Sequence, residues 1–246
     1  MITASSLRSA RKRLMKKLLF PKGFVEKGSL YSRHVGNQFH GIDFQALRYG
    51  GQYTVNVTFH YDFLPVYWGE RTTRPLDEME LLDFWLRTRL GRLLTAGAKE
   101  IWWPYGKDLE EAKSTLTFVA TKAMEVLDRY AESWSAPQVC LELVPPSRLE
   151  KILPPADVFE MDEERANEAA VHAFWEVLPE WNPRSHELAY GLCVIALNAG
   201  EFGLAKEYGE IAAADPWIRD AAPKRHRDAW ALLRAQAEKG LSKRGR

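Results

Sequence analysis

Residues Gln52 to Phe63 read Q-Y-T-V-N-V-T-F-H-Y-D-F, so that Tyr53, Val55, Val57, Phe59, Tyr61 and Phe63 alternate with Gln52, Thr54, Asn56, Thr58, His60 and Asp62. A strict period of two over this length is what a long strand with one apolar and one polar face requires, and a helix cannot reproduce it. The upstream chain supplies its partners. Gly36-Asn37 and Gly50-Gly51 both carry the two-residue hairpin signal. With Gly50-Gly51 as the loop, Tyr49 faces Gln52, and counting outward sets Ala46 beside Val55, Phe44 beside Val57 and Ile42 beside Phe59. On the other face Gln45 meets Asn56, Asp43 meets Thr58 and Gly41 meets His60. The same count around Gly36-Asn37 brings Tyr31 to Ile42 and Ser32 to Gly41. The expectation is an antiparallel meander with a buried apolar face and a wet polar one.

With 246 residues, 46% of them hydrophobic and 27% charged, the chain can bury one large core or two modest ones. Its net charge of +1 hides an asymmetry. Arg8, Arg11, Lys12, Arg13, Lys16, Lys17 and Lys22 all precede the first acid, Glu26, and setting these seven aside leaves 27 basic residues against 33 acidic, a body of charge −6. Cys140 and Cys193 sit in apolar surroundings, which predicts buried free thiols and a reducing cytoplasm. No apolar run approaches the roughly 20 residues needed to cross a bilayer, so no membrane partner is expected. Residues 2–20 are also Ser/Arg-rich and acid-free, the composition of a transit peptide.

Leu7, Ala10, Leu14, Leu18 and Leu19 recur at helical spacing and predict an amphipathic helix from about Ser5 to Phe20, ended by Pro21 and Gly23, with its leucine stripe on the sheet and its cations in solvent. Phe24 to Lys27 and Leu30 to Val35 read as strands, and Leu64 to Pro75 as a loop with an exposed Tyr67-Trp68. Residues 79–94 fit both a helix and a strand. Asp108 caps a long helix to Trp134 whose apolar face includes Leu109, Ala112, Leu116, Val119, Ala120, Ala123, Leu127 and Tyr130. Pro137 to Val144 reads as an edge strand.

Gly23-Phe24, Tyr31 with Arg33, Phe44-Gln45, Tyr53-Thr54-Val55-Asn56, Arg87-Thr88-Arg89-Leu90-Gly91 and Trp102-Trp103 follow one another in the order of a G-F…Y-x-R…F-Q…T-V-N…R-T-R-L-G…W-W progression. In this the chain resembles a bacterial family catalogued only as a domain of unknown function, over residues of about 5–140. The resemblance implies a helix packed on an antiparallel sheet with R-T-R-L-G as a strand, which favours strand over helix for Asp83 to Arg89. It brings no activity, although some related small bacterial domains look like immunity proteins that neutralise toxins.

Pro145-Pro146 and Pro154-Pro155 bracket a linker, after which alanine and helix formers dominate. Helices are expected at about Glu163 to Leu178, Ser185 to Asn198, Phe202 to Ala214 and Pro223 to Lys239, with a frayed basic tail beyond. Leu188 to Pro216 is similar to a single tetratricopeptide unit, but Cys193 stands where glycine is usual and no second copy follows. The fold class is thus α+β: an N-terminal helix on an antiparallel meander sheet with a long following helix, then an all-α helical-hairpin module. The expected division is a sheet domain over 1–144, a linker over 145–161 and a helical module over 162–240.

No metalloprotease, zinc-ribbon, phosphate-loop, dinucleotide-binding or nucleophile-elbow motif occurs, so neither a cofactor nor a metal site is expected. The polar sheet face offers Asp43, Gln45, Asn56, Thr58 and Arg87 as a binding surface, joined by the aromatic pairs Tyr67-Trp68 and Trp102-Trp103. His60, Asp62 and Arg89 are the candidate catalytic residues on that face, suited to metal-dependent nuclease or phosphoryl-transfer chemistry. His34 and His40 flank a turn and read as surface histidines. The sequence favours a non-catalytic cytoplasmic protein-binding protein, with immunity as its specific form. Nucleic-acid binding through the basic helix is the remaining alternative, and strong binding of that kind is not expected.

Overall fold

A computed structural model of the chain describes residues 2–48, 50–65, 75–81, 84–95, 100–152, 185–214, 222 and 224–244. The chain divides into two units, Met1–Asp62 with Arg74–Ser135 and Phe63–Thr73 with Ala136–Arg246.

In the first unit, Thr3 caps helix α1 (Ala4–Leu18) by accepting from the Ser6 amide, and a 3₁₀ turn with Pro21 closes it at Gly23, whose φ of 82° requires glycine. Strands β1 (Val25–Lys27), β2 (Leu30–Val35), β3 (Gln38–Ala46) and β4 (Gln52–Tyr61) form a meander, β5 (Leu86–Arg89) joins the free edge of β4, and the short β6 (Trp103–Pro104) pairs with β4 at Gln52 and Tyr53. All pairings are antiparallel. The ambiguity over residues 79–94 resolves into both states: β5 is a strand, and α2 (Leu90–Leu94) follows it directly. Helix α3 (Leu109–Ser133) is capped as expected, with Asp108 accepting from the amides of Glu110 and Glu111.

Around Gly36-Asn37 the expected register holds, with Tyr31 opposite Ile42 and Ser32 opposite Gly41. Around Gly50-Gly51 it is corrected by two residues: Ala46 pairs with Tyr53, Phe44 with Val55, Ile42 with Val57, Asp43 with Asn56 and Gly41 with Thr58. The hairpin is closed by the Leu47 amide donating to the Gln52 carbonyl, and a turn inside it has Gly50 N–H donating to Leu47 C=O. Gly50 and Gly51, at φ of 77° and 80°, are therefore the last two of four loop residues, not the whole loop. A shift of two keeps every side chain on its face.

Helices α1 and α3 pack on each other and cover the sheet face of Tyr31, Ile42, Phe44, Val55, Val57 and Phe59, all 4% exposed or less. Ala112, Leu116, Val119, Ala120, Ala123, Val126, Leu127 and Tyr130 of α3 point inward as their spacing demands, whereas Phe118 is exposed. The opposite face is only partly wet: toward the Gly50-Gly51 hairpin Gln45 and Gln52 are exposed. Ser32, Asp43, Thr54, Asn56, Thr58 and His60 are all buried, because the segment after Pro75 crosses that face and lays Met79 and Phe84 over Leu30 and Phe39. The Ser32 hydroxyl and the Lys27 ammonium donate to the carbonyls of Leu76 and Glu78 and fix that segment in place.

In the second unit, the described elements are the helices α4 (Gln138–Leu143), α5 (Pro146–Ile152), α6 (Ser185–Ala199), α7 (Phe202–Ala214) and α8 (Lys224–Arg244). Residues 138–143 are helical where an edge strand over 137–144 was expected: Cys140 and Leu141 are buried and α4 packs on α6, so helix contacts override the short apolar run. Residues 146–152 of the expected linker form α5 against α7, and residues 153–161 and the expected helix 163–178 lie outside the described residues. Gly200, at φ of 74°, joins α6 to α7. The tail is helical to Arg244, beyond the expected end at Lys239, and within it Gly240 lies under the Phe202 ring, where any Cβ would overlap it.

Candidate functional site

The expected binding face holds a hydrogen-bonded network that is buried at Asp43 and Asn56 and exposed at Gln45. Asp43 accepts from the Ser29 hydroxyl at 2.6 Å and from Asn56 Nδ2 at 2.8 Å, Asn56 reaches Gln45 Oε1 at 3.3 Å, and Arg89 Nη1 donates to the same oxygen at 2.9 Å. Asp43, Gln45, Asn56 and Arg89 are thus brought together, as the strand parity implies, but both Asp43 oxygens already have donors. Thr58 is buried beside Gly41, and Arg87 stands half-buried opposite it on β5. Trp103 is buried against Tyr53, and Trp102 lies half-buried under Arg89, whose guanidinium carbon is 5.5 Å from the ring centroid. Tyr67 and Trp68 lie outside the described residues.

The three candidate catalytic residues do not converge. His60 is buried and its Nδ1 accepts from the Trp85 amide at 3.2 Å, which uses the lone pair a general base would need. Asp62 lies past the end of β4 and meets His34 Nε2 at 3.2 Å. Arg89 pairs with Asn56, four residues along β4 from His60, a separation of about 13 Å at the rise of a strand. Among the described residues no three His, Cys, Asp or Glu side chains gather as a metal site would require.

A second polar cluster lies on the helix-covered face. His40, expected at the surface, is completely buried, and Arg33 beside it is 5% exposed. Arg33 donates to His40 Nδ1 at 3.2 Å and to Asp128 Oδ1 of α3 at 2.5 Å, and its guanidinium stacks 4.8 Å from the Phe24 ring. With Nδ1 accepting, His40 carries its proton on Nε2 and donates it to Gln38 Oε1 at 2.9 Å. Gln38 Nε2 and Tyr61 Oη in turn donate to the Trp134 carbonyl at the end of α3. Burial and, after it, the Arg33 charge push the His40 pKa down to about 3. The cluster ties β2, β3 and β4 to α3, and its histidine has no lone pair left for chemistry.

An accessible feature of this unit is a groove of ≈ 880 Å³ between α1 and α3. Arg13, Lys16, Lys17 and Lys113 line it, with Ser5, Ser6 and Ser9 toward the start of α1. Leu14 and Leu109, both expected inside, form apolar wall, and Leu109 is 44% exposed. No lining residue is acidic; the adjacent Glu110 meets Lys113 at 2.6 Å, an exposed pair worth little. The acid-free cationic run of α1 is the sequence signal for this groove. Its second wall comes from a helix some 100 residues later, which no local pattern shows.

Residues 15–129 match the family model described as Domain of unknown function (DUF4304). The resemblance to a domain of unknown function therefore holds over this stretch. The DUF4304 match runs from Met15 in α1 to Arg129 in α3, so it takes in the whole sheet, the segment over its polar face and most of α3. No curated protein and no solved structure matches the chain.

Proposed function

We propose that the chain is a non-catalytic protein-binding protein whose first unit receives an acidic, partly apolar segment of its partner in the α1–α3 groove. The observation that carries this reading is the composition of the groove: four cations around exposed leucine, with no acid in the lining. Such a surface is complementary to a helix with carboxylates flanking an apolar stripe. The catalytic alternative on His60, Asp62 and Arg89 has less support, since those residues lie apart with their polar atoms engaged. Cytoplasmic residence accords with the two buried free thiols. Among the described residues, no helix is long and apolar enough to cross a membrane.

Proteins retained from native lysate by the wild-type chain are to be compared with those retained by Arg13→Glu/Lys17→Glu. The reading expects a protein whose affinity falls at least about tenfold in the variant and declines with added salt, as steering by rim charges requires. Retention of the same protein equally by both forms would remove the groove from the interface. Immunity is the narrower form of this reading, and there the retained partner is a toxin whose growth arrest is relieved by co-expression of the wild type and not of the variant.

A further inference from the structure

We propose that a small cavity under the first turns of α1, on the opposite side of that helix from the groove, is a binding site for a short-chain carboxylate. The cavity has a volume of ≈ 60 Å³ and is bounded by α1, the end of β3, Tyr53, Tyr105 and Leu116. Tyr53 is 2% exposed, and its hydroxyl has no hydrogen-bond partner. Arg11 Nε is likewise buried without a partner, although its Nη2 donates to the Gly28 carbonyl at 3.2 Å and its guanidinium lies 5.6 Å from the Phe44 ring, another wall of the cavity. Arg8, one turn earlier, lines the same space.

The donors define the ligand. No lining residue carries a carboxylate or an amide; the polar groups of the wall are two guanidinium groups and two phenols. Glu26 acts on Tyr31 together with Arg11 but does not line the cavity. Burial pushes the Tyr53 phenol well above its ordinary range, so it stays neutral and offers a proton. A ligand that accepts from the orphaned Tyr53 hydroxyl, in a space lined by Arg8 and Arg11, is favoured if negatively charged, which a carboxylate provides. Water would satisfy Tyr53 but brings no charge to Arg8 and Arg11. The remaining wall, with Ala4, Leu7 and Leu116, is apolar and suits a short alkyl chain. At about 10–15 Å³ for each water-sized group, the volume holds roughly four to six heavy atoms, which is a carboxylate of two to four carbons.

Titration calorimetry of the full chain with sodium propionate at constant ionic strength, with n-propanol as the uncharged control, tests the site. Saturable binding in the roughly millimolar range is expected for a ligand of about five heavy atoms. Tyr53→Phe should weaken it about tenfold while its ligand-free Tm stays equal or rises, because the substitution removes an unpaired buried hydroxyl. A merely structural tyrosine would not separate the two readouts. Ala46→Leu, which fills the cavity from β3, should abolish binding and serves as the test if Tyr53→Phe does not fold. Absence of propionate binding, equal binding by the variants, or equal binding of n-propanol would overturn the proposal.

Discussion

His40 is held neutral from two sides, by a buried position and by the Arg33 guanidinium that donates to its Nδ1. Its folded pKa of about 3 lies below the ordinary 6.5, so the unfolded chain binds a proton that the folded chain refuses. The stability this contributes is present above pH 6.5 and is lost as the pH falls from there toward 3. The limiting slope is about 1.4 kcal/mol per pH unit. Urea denaturation at pH 7 and at about pH 5 should thus show a drop of up to about 2 kcal/mol in the wild type, and a drop smaller by about that amount in His40→Gln. Equal pH dependence in both proteins would mean that His40 titrates normally. The position was readable from strand parity, since Gln38, His40, Ile42 and Phe44 alternate onto one face. Nearness to a turn was the misleading cue, and Asp128, which completes the cluster, stands 95 residues from Arg33.

At the level of elements, the β3–β4 hairpin separates what a period of two can specify from what it cannot. Alternation fixes which face each residue takes and is blind to even shifts, so the faces of Gly41 to Ala46 were assigned correctly while each partner was off by two. Loop length decides the rest, and it depends on where the chain closes, at Leu47 and Gln52, not on where the glycines stand. The true register places Gly41 opposite Thr58, and a Cβ at position 41 would overlap the Thr58 hydroxyl. Gly41→Ala is therefore expected to cost about 1–3 kcal/mol by overpacking. Thr58→Ala removes a buried hydroxyl that has no partner, so the double variant should recover much of that loss. A double-mutant cycle by chemical denaturation reads this coupling, and strictly additive effects would contradict the pairing. What covers the polar face was not readable at all: alternation marks that face as polar, while its cover, Met79 and Phe84, comes from a stretch whose own periodicity is mixed.

For the molecule as a whole, the question raised by its charge is whether the basic N-terminus binds nucleic acid. Seven cations precede the first acid, and the rest of the chain carries −6. Not all seven are available to a phosphate backbone. Arg11 is turned onto the sheet, donating to Gly28 and lying over Phe44. Arg13, Lys16 and Lys17 face a groove whose walls include Leu14 and Leu109, and apolar side chains there add nothing to phosphate contact. None of the groove-lining residues is aromatic, so the groove offers no platform for stacking a base. Counterion release from three or four phosphates gives an affinity that falls with salt at a slope of about −3 to −4, and it yields only non-specific binding near 10⁻⁴ to 10⁻⁶ M at physiological salt. An electrophoretic shift assay with duplex DNA and RNA is expected to show no complex at nanomolar protein in that buffer. A complex there, lost in Arg13→Glu/Lys17→Glu, would mean that the groove reads phosphates, and the acidic partner segment would then give way to a nucleic-acid backbone.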